Sequence, residues 1–302
     1  MPTRRQLLTA WITRRYPFLS GCGTFANSRM VRSLSGTQRG LAWGRLRDGS
    51  EILVPLDDYV GRAVFFVGDL DRKVSAVIAR IVGPGDVVLD IGANLGLVTM
   101  QLAHLVGESG RVHAFEPNPA MVEILTQTLE RNAARNVELH SYGLGSEDGQ
   151  IELAIPIGHA GQASMTRSRW TDGAETVVVP VHTLTSVMRD RGIGSVRLMK
   201  IDVEGFEMEV LRGAEQWLAS SPVEFILFES NDSLGDGAAD PVISFLVELG
   251  YRIFAIERRL LSLSLSLHDP TIAAAASSHD FLAVHRSCKE PIESRIRVRS
   301  KS

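Results

Sequence analysis

The chain has 302 residues, 44% of them hydrophobic, a formal net charge of −3 and two cysteines. That size suits one large α/β domain with extensions or two small domains, and cysteines at 22 and 288 form neither a disulfide framework nor a zinc site, so a reducing, cytoplasmic setting is expected. Charge is segregated: residues 1–47 hold nine Arg and no acid, residues 286–302 carry +4, and the −16 on residues 48–285 argues against a nucleic-acid groove, whose affinity rests on phosphate contacts.

Residues 1–38 read as a basic arm, disordered or partly helical, with an amphipathic Arg-rich stretch that could touch an anionic surface or a partner. The runs 3-TRRQLL-8 and 19-LSGC-22 resemble export signals, but Arg14 and Arg15 interrupt the apolar stretch between them. No stretch of 18 uncharged apolar residues predicts a transmembrane helix. Residues 39–83 read as a β extension plus a helix. In it, 41–56 is a hairpin turning at Asp48-Gly49, 63-AVFFVG-68 is an extended run, and Val74, Val77, Ile78, Ile81 and Val82 repeat at helical spacing.

From 84 to 286 strands and helices alternate. Strands are expected at 86–91, 111–116, 137–144, 196–202 and 224–230, with helices near 95–106, 119–133, 206–219 and 241–249. The runs 151–156 and 177–181 read as hairpin arms around a polar loop, 157–175, and 183–190 as a short helix. The runs 251–256 and 280–285 read as a closing antiparallel pair, the Leu/Ser alternation at 261–267 as an extra edge strand, and 287–302 as a basic disordered tail. The pattern predicts an α/β, Rossmann-like, doubly wound, mostly parallel seven-stranded sheet closed by an antiparallel strand pair. Ligands of such sheets bind beyond the carboxyl ends of the strands, where the strand order switches.

The chemistry gathers at three strand ends. The first is 90-DIGANLG-96, a small-residue turn opening a helix, where backbone can approach a ligand closely. A dinucleotide fingerprint needs glycine where Asn94 stands, and Asp90 would repel a pyrophosphate while attracting an ammonium. The second is Glu116, placed to accept both hydroxyls of a ribose, with Gly143, Leu144 and Gly145 after the next strand near an adenine edge. A ribose acid, a carboxylate loop and no pyrophosphate glycine point to S-adenosylmethionine. The third is 198-LMKIDVEGFEMEVLRGAE-215, whose strand ends in Asp202.

Together, 84-PGDVVLDIGANLGLVT-99, 111-RVHAFEPNP-119, 137-VELHSYGLGSEDGQIEL-153 and 198-LMKIDVEGFEMEVLRGA-214 resemble the successive motifs of the FkbM-type S-adenosylmethionine-dependent methyltransferase family. The resemblance implies methyl transfer to a hydroxyl of a small-molecule, sugar or natural-product acceptor. It implies that Asp90, Gly92, Ala93, Asn94, Gly96, Glu116, Asn118 and Gly145 hold the cofactor and that Asp202 and Glu204 face the reacting end. One departure stands out: 68-GDLD-71 has Leu70 and Asp71 where the family usually has an aromatic residue and Glu.

Asp202 or Glu204 would act as base if burial raised its pKa. Lys200, on the same strand face as Asp202, would instead keep that carboxylate ionised, a clamp rather than a base. Mg²⁺ held by Asp202, Glu229 and Asp232 at adjacent strand tips is the less favoured alternative. Glu207 and Glu209 read as helix-start charges, His113, His140 and His285 as satisfied core or edge histidines, and Phe65 and Phe66 as core. His159, Ser164 and Trp170 are candidate acceptor contacts in the polar loop. Two other readings remain: a nucleotide-dependent oxidoreductase, and a non-catalytic methyltransferase-like module docking through its basic tails. Oligomeric state is open.

Overall fold

The computed structural model describes residues 2–36, 40–156, 174–230, 240–257, 259–268 and 280–299. His159, Ser164, Trp170 and Asp232 lie outside the described residues.

The N-terminal segment, expected as a disordered or partly helical arm, is helical and packed against the main domain. It forms α1 (Arg4–Thr13), α2 (Cys22–Ala26) and α3 (Arg29–Ser35), and Ala10, Cys22, Ala26 and Val31 join a buried cluster with Leu95, Met100 and Met121 of the main domain. A hairpin follows, β1 (Leu41–Arg45) against β2 (Glu51–Pro55). The run 63–67 is not extended but lies in α4 (Tyr59–Val67), capped by Asp58, whose carboxylate accepts from the Val60 and Gly61 N–H groups. A short run that is apolar on every side carries no period, so the pattern could not separate a buried helix from a strand. The expected helix α5 (Arg72–Ile81) follows.

Then come β3 (Val87–Ile91), α6 (Leu97–Val106), β4 (Arg111–Phe115), α7 (Pro119–Arg131) and β5 (Val137–His140). The expected strand 137–144 divides: Gly143 and Leu144 leave the main sheet as β6 (Gly143–Leu144), which joins β7 (Gly149–Pro156) and β8 (Ala174–His182) in a small sheet ordered β6-β8-β7. The chain continues through α8 (Leu184–Asp190), β9 (Leu198–Ile201), α9 (Glu207–Ser220), β10 (Phe225–Glu229), α10 (Pro241–Glu248), β11 (Tyr251–Ile256), β12 (Leu265–Leu267), β13 (Asp280–His285) and β14 (Val298–Arg299).

The main sheet runs β14-β12-β11-β13-β10-β9-β3-β4-β5. Its parallel strands β5, β4, β3, β9 and β10, closed by antiparallel β13 and β11, are the seven expected. Among the described residues two further strands beyond β11 bring the total to nine. β12 is the Leu/Ser alternation, and β14 comes from the tail expected to be disordered, anchored where Ile292 and Ile296 are buried.

Alternation along each strand sends side chains to opposite faces. Leu89, Ile91, Met199 and Ile201 pack under α8, α9 and α10. Val88 and Leu198 face α5 and α6, and Ala114 meets Leu125 of α7. The order reverses between β3 and β9, which puts the crevice at their carboxyl ends.

Candidate active site

At the end of β3 the chain turns through Gly92-Ala93-Asn94-Leu95-Gly96 into α6. The Gly92 and Ala93 N–H groups both donate to the Phe115 carbonyl at 3.0 Å, fastening the turn to β4. Gly92 has φ +78°, and a Cβ there would sit 1.9 Å from the Asp202 carbonyl oxygen, so only glycine lets the turn meet the tip of β9. Asn94 also takes a left-handed conformation, φ 52°, as does Glu204 at 54° across the crevice. Non-glycine residues held there mark strain that sites often carry.

Two clefts open above these strand ends. The first, about 380 Å³, is lined by Gly92, Ala93, Asn94, Glu116, Pro117 and Tyr142, with Asp202 and Glu204 on its far wall. The second, about 520 Å³, lies toward the N-terminal segment and is lined by Gly21, Cys22, Asp69, Asp71, Lys73 and Asp280 among others. Asp202, Lys200, Glu229, Leu70 and Leu97 line both.

Glu116 stands against the first cleft, nearly buried. Its Oε2 accepts from the Asn94 N–H at 2.7 Å and its Oε1 from the Asn118 N–H at 2.9 Å. Burial pushes its pKa up to about 7, against the opposing pull of those two N–H donors and of Lys200. Each carboxylate oxygen has a further lone pair for a hydroxyl in the cleft.

Asp90 does not line either cleft. It is fully buried beneath the turn, where Oδ2 accepts from the Thr99 hydroxyl at 2.6 Å. Its Oδ1 has no well-directed hydrogen bond but lies 3.3 Å from the Lys200 ammonium. Lys200 also donates to the Gly92 carbonyl at 2.8 Å and stands 3.4 Å from Asp202 Oδ2. Burial opposes its charge, yet Asp202 and Asp90 together hold its pKa above the ordinary lysine value. A protein ammonium thus occupies the position beside Asp90 that a ligand's ammonium was expected to take. Among the described residues the carboxylates that line the first cleft are Glu116, Asp202, Glu204 and Glu229. Asp202 is about half exposed, with the Lys200 ammonium beside it.

Three more expected cofactor residues lie off the first cleft. Gly96 begins α6, and a Cβ there would meet Leu125 Cδ1 at 2.4 Å, so its smallness serves helix packing. Asn118 caps α7, accepting from the Ala120 N–H. Gly145 is covered by Val181 and Phe206, and its carbonyl abuts Gly213 of α9. The residues that the sequence reading passed over are Pro117, Tyr142 and Thr99. Tyr142 had a signal, an aromatic directly before the glycine pair. Thr99 had none, because its partner Asp90 is nine residues away and only the helix path joins them.

Glu207 accepts from the Val203 and Gly205 N–H groups at 3.2 and 3.1 Å, which holds the 202–206 turn in shape. Phe65 and Phe66 are core. For a metal, Asp202 and Glu229 share a cleft wall. Among the described residues, the His and carboxylate atoms that converge are those of His113, Glu138 and His140, behind Tyr142. These groups satisfy one another: His113 Nδ1 and His140 Nε2 are 3.3 Å apart, Tyr142 Oη is 3.2 Å from His140 Nδ1, and Glu138 pairs with Arg191. Burial lowers both imidazole pKa values, His140 to about 3, so they stay neutral.

Residues 90–253 match the methyltransferase FkbM domain. The chain belongs to the FkbM methyltransferase family. This FkbM-family chain is 30% identical over 200 residues, 57% of it and 75% of the relative, to the 31-O-demethyl-FK506 methyltransferase FkbM of Streptomyces tacrolimicus. It is 27% identical to Methyltransferase 1 of Beauveria bassiana over 57% of itself and 74% of that protein. It is 32% identical to the hexuronic acid methyltransferase AglP of Haloferax volcanii over 48% of itself and 55% of that protein, just over half of that relative's length. The chain is an S-adenosylmethionine-dependent methyltransferase.

The first cleft fits that cofactor. An acid with free lone pairs stands where a ribose can meet it, carboxylates on the far wall suit an ammonium or sulfonium, and Asn94 replaces the glycine that a pyrophosphate needs.

Proposed function

We propose that this FkbM-family enzyme methylates a hydroxyl oxygen of a small polyhydroxylated acceptor that is uncharged or cationic. S-adenosylmethionine supplies an electrophilic methyl on a positively charged sulfur. Glu116 would hold the ribose hydroxyls, with Gly92, Ala93 and Asn94 giving backbone access. Asp202 would accept the hydrogen bond of the acceptor hydroxyl and so point an oxygen lone pair toward the methyl. The new O–C bond forms as the S–C bond breaks, and the hydroxyl proton leaves to Asp202, to Glu204 or to water. Lys200 stands 3.4 Å from the Asp202 carboxylate, so the contribution assigned to Asp202 is alignment more than strong basicity.

The observation that carries this reading is the wall shared by the two clefts, with Asp202 on both sides of it. The acceptor class follows from the lining of the second cleft. Among the described residues it gathers Asp69, Asp71, Asp202, Glu229 and Asp280 against Lys73 and Lys200. Lys73 is already committed to Asp71 and Asp280. Such a lining accepts hydrogen bonds from hydroxyls and repels carboxylates and phosphates. The Streptomyces relative's name describes methylation of a 31-O-demethyl compound, which supports oxygen as the target.

The test is transfer of labelled methyl from S-adenosylmethionine to matched panels of neutral, amine-bearing and carboxylate-bearing polyols. Label on neutral or amine-bearing acceptors is expected. Preference for carboxylated acceptors would refute the acceptor class. Tight NAD binding without binding of S-adenosylhomocysteine would refute the reading of the cofactor cleft.

A further inference from the structure

Helix α1 is turned inside out for a water-soluble surface. Its buried positions are Gln6, Thr9, Ala10 and Thr13, while Leu7, Leu8, Trp11 and Ile12 are each more than half exposed. A helix on an aqueous surface normally buries its apolar stripe. Here the hydroxyls inside are satisfied: Thr13 donates to the Phe66 carbonyl at 2.6 Å and Thr9 to the Arg5 carbonyl at 2.8 Å. The orientation is therefore built into the packing. Helix α3 extends the exposed apolar face with Met30 and Leu34, and Arg5 of α1 donates to the Ser33 and Leu34 carbonyls, tying the two helices together.

The charge carried by residues 1–47 is of one sign. Arg4, Arg5, Arg15, Arg29 and Arg32 are exposed, and among the described residues none of them has a carboxylate partner. The Arg15 guanidinium lies 3.8 Å from the Trp11 ring centroid, so aromatic and cation share one edge of the patch. The −16 of residues 48–285 lies elsewhere in the chain. An anionic surface would draw the N-terminal face toward itself and repel the rest, which fixes orientation as well as attraction.

We propose that α1 and α3 dock this enzyme on an anionic lipid bilayer, lying in the interface plane with Leu7, Leu8, Trp11 and Ile12 among the acyl chains and the arginines at the headgroups. No described helix is long and apolar enough to cross a membrane, so the contact is peripheral. The occupant is set by two features read together, an apolar stripe that includes Trp11 and a cluster of exposed arginines from a segment without acids. A protein partner would need a complementary acidic rim around an apolar groove. A second copy of this chain would bring the same positive rim against this one. Residues 20–24 of the same segment line the second cleft, so the docking face and the acceptor cleft are built from one stretch of chain.

Co-sedimentation of the full chain with phosphatidylcholine vesicles, with and without phosphatidylglycerol, tests the assignment. Binding is expected to the phosphatidylglycerol vesicles, to fall as salt rises, and to drop at least about tenfold in the Leu8→Ser/Trp11→Ser variant. Unchanged S-adenosylhomocysteine binding shows that this variant is folded, since both residues are exposed and remote from the cofactor cleft. Equal sedimentation of wild type and variant would overturn the proposal. So would failure to bind either vesicle, or a dimer by light scattering that the double variant splits, which would assign the face to a second copy.

Discussion

The two clefts meet at Asp202 but are built differently. The first cleft is built mainly on the ends of β3, β4, β9 and β10, and its floor is set by backbone: the Gly92 and Ala93 N–H groups fasten the turn, and glycine 92 admits the Asp202 carbonyl. The second cleft, proposed above for the acceptor, adds side chains from segments far apart in sequence, such as Cys22, Asp69, Lys73 and Asp280. Backbone geometry tolerates almost no change, because a displaced strand tip displaces every atom after it. Side chains from separate segments can be exchanged one at a time.

The largest expected effect falls beneath both clefts. Lys200→Met strands Asp90, which is fully buried, and removes the neighbour of Asp202. A loss of about 3–5 kcal/mol in chemical denaturation is expected, as for other broken buried pairs. A variant as stable as wild type would show that this charge cluster does not hold the strand tips together.

Gly92→Ala comes next, with about 3 kcal/mol or more lost and cofactor binding abolished even in the folded fraction. Gly213→Ala is its control, since a Cβ there would meet the Gly145 carbonyl oxygen at 1.9 Å, away from the clefts. That variant is expected to lose stability and to keep S-adenosylhomocysteine affinity once folded. If both variants lost affinity alike, the contrast between a rigid cofactor cleft and the rest of the fold would fail.

Asp202→Asn separates the clefts chemically. A fall of about 10²-fold in kcat is expected, with cofactor affinity changed only a few-fold. Equal losses in kcat and in cofactor affinity would move Asp202 wholly to the cofactor side. The mildest change is Asp71→Asn, expected to raise KM for the acceptor a few-fold and to leave S-adenosylhomocysteine binding unchanged.

Acidity gives a further handle on the cofactor side. Glu116 titrates near pH 7 because of burial, and its ionised form is the better acceptor of ribose hydroxyls. Cofactor affinity is therefore expected to be constant above that pH and to weaken below it, by up to about tenfold per unit. Isothermal titration between pH 6 and 8 checks this, and Glu116→Gln should flatten the profile. The sign for folding is the reverse. The pKa is raised above the unfolded value, so the stability from this group is full at acid pH and is lost as pH rises through 7. Glu116→Gln should remove that slope from the thermal melting profile.

The alternation of strands and helices was legible because a parallel sheet needs a crossover helix after each strand, and each crossover leaves its own period in the sequence. The turn at 90–96 and the acid at 116 were legible because both follow apolar strands directly. What failed was local or distant in a specific way. The run 63–67 is apolar on all sides and has no period to read. Residues 137–144 read as one extended run, yet pairing sends 143–144 to another sheet. The tail at 298–299 becomes a strand only because β12 offers it an edge.

By itself the sequence determined the order of the parallel strands' elements, the small-residue turn, the acids at the strand ends and the segregation of charge. Each of these is carried by residues close together in the chain, whose spacing reports backbone geometry directly. Only the tertiary structure decided that Lys200 fills the space beside Asp90, that Asp202 stands between two clefts, and that α1 turns its apolar side outward. These depend on side chains tens to hundreds of residues apart, and on which competing contacts satisfy a buried charge or hydroxyl. No local period records that outcome, because burial is a property of the whole packed molecule.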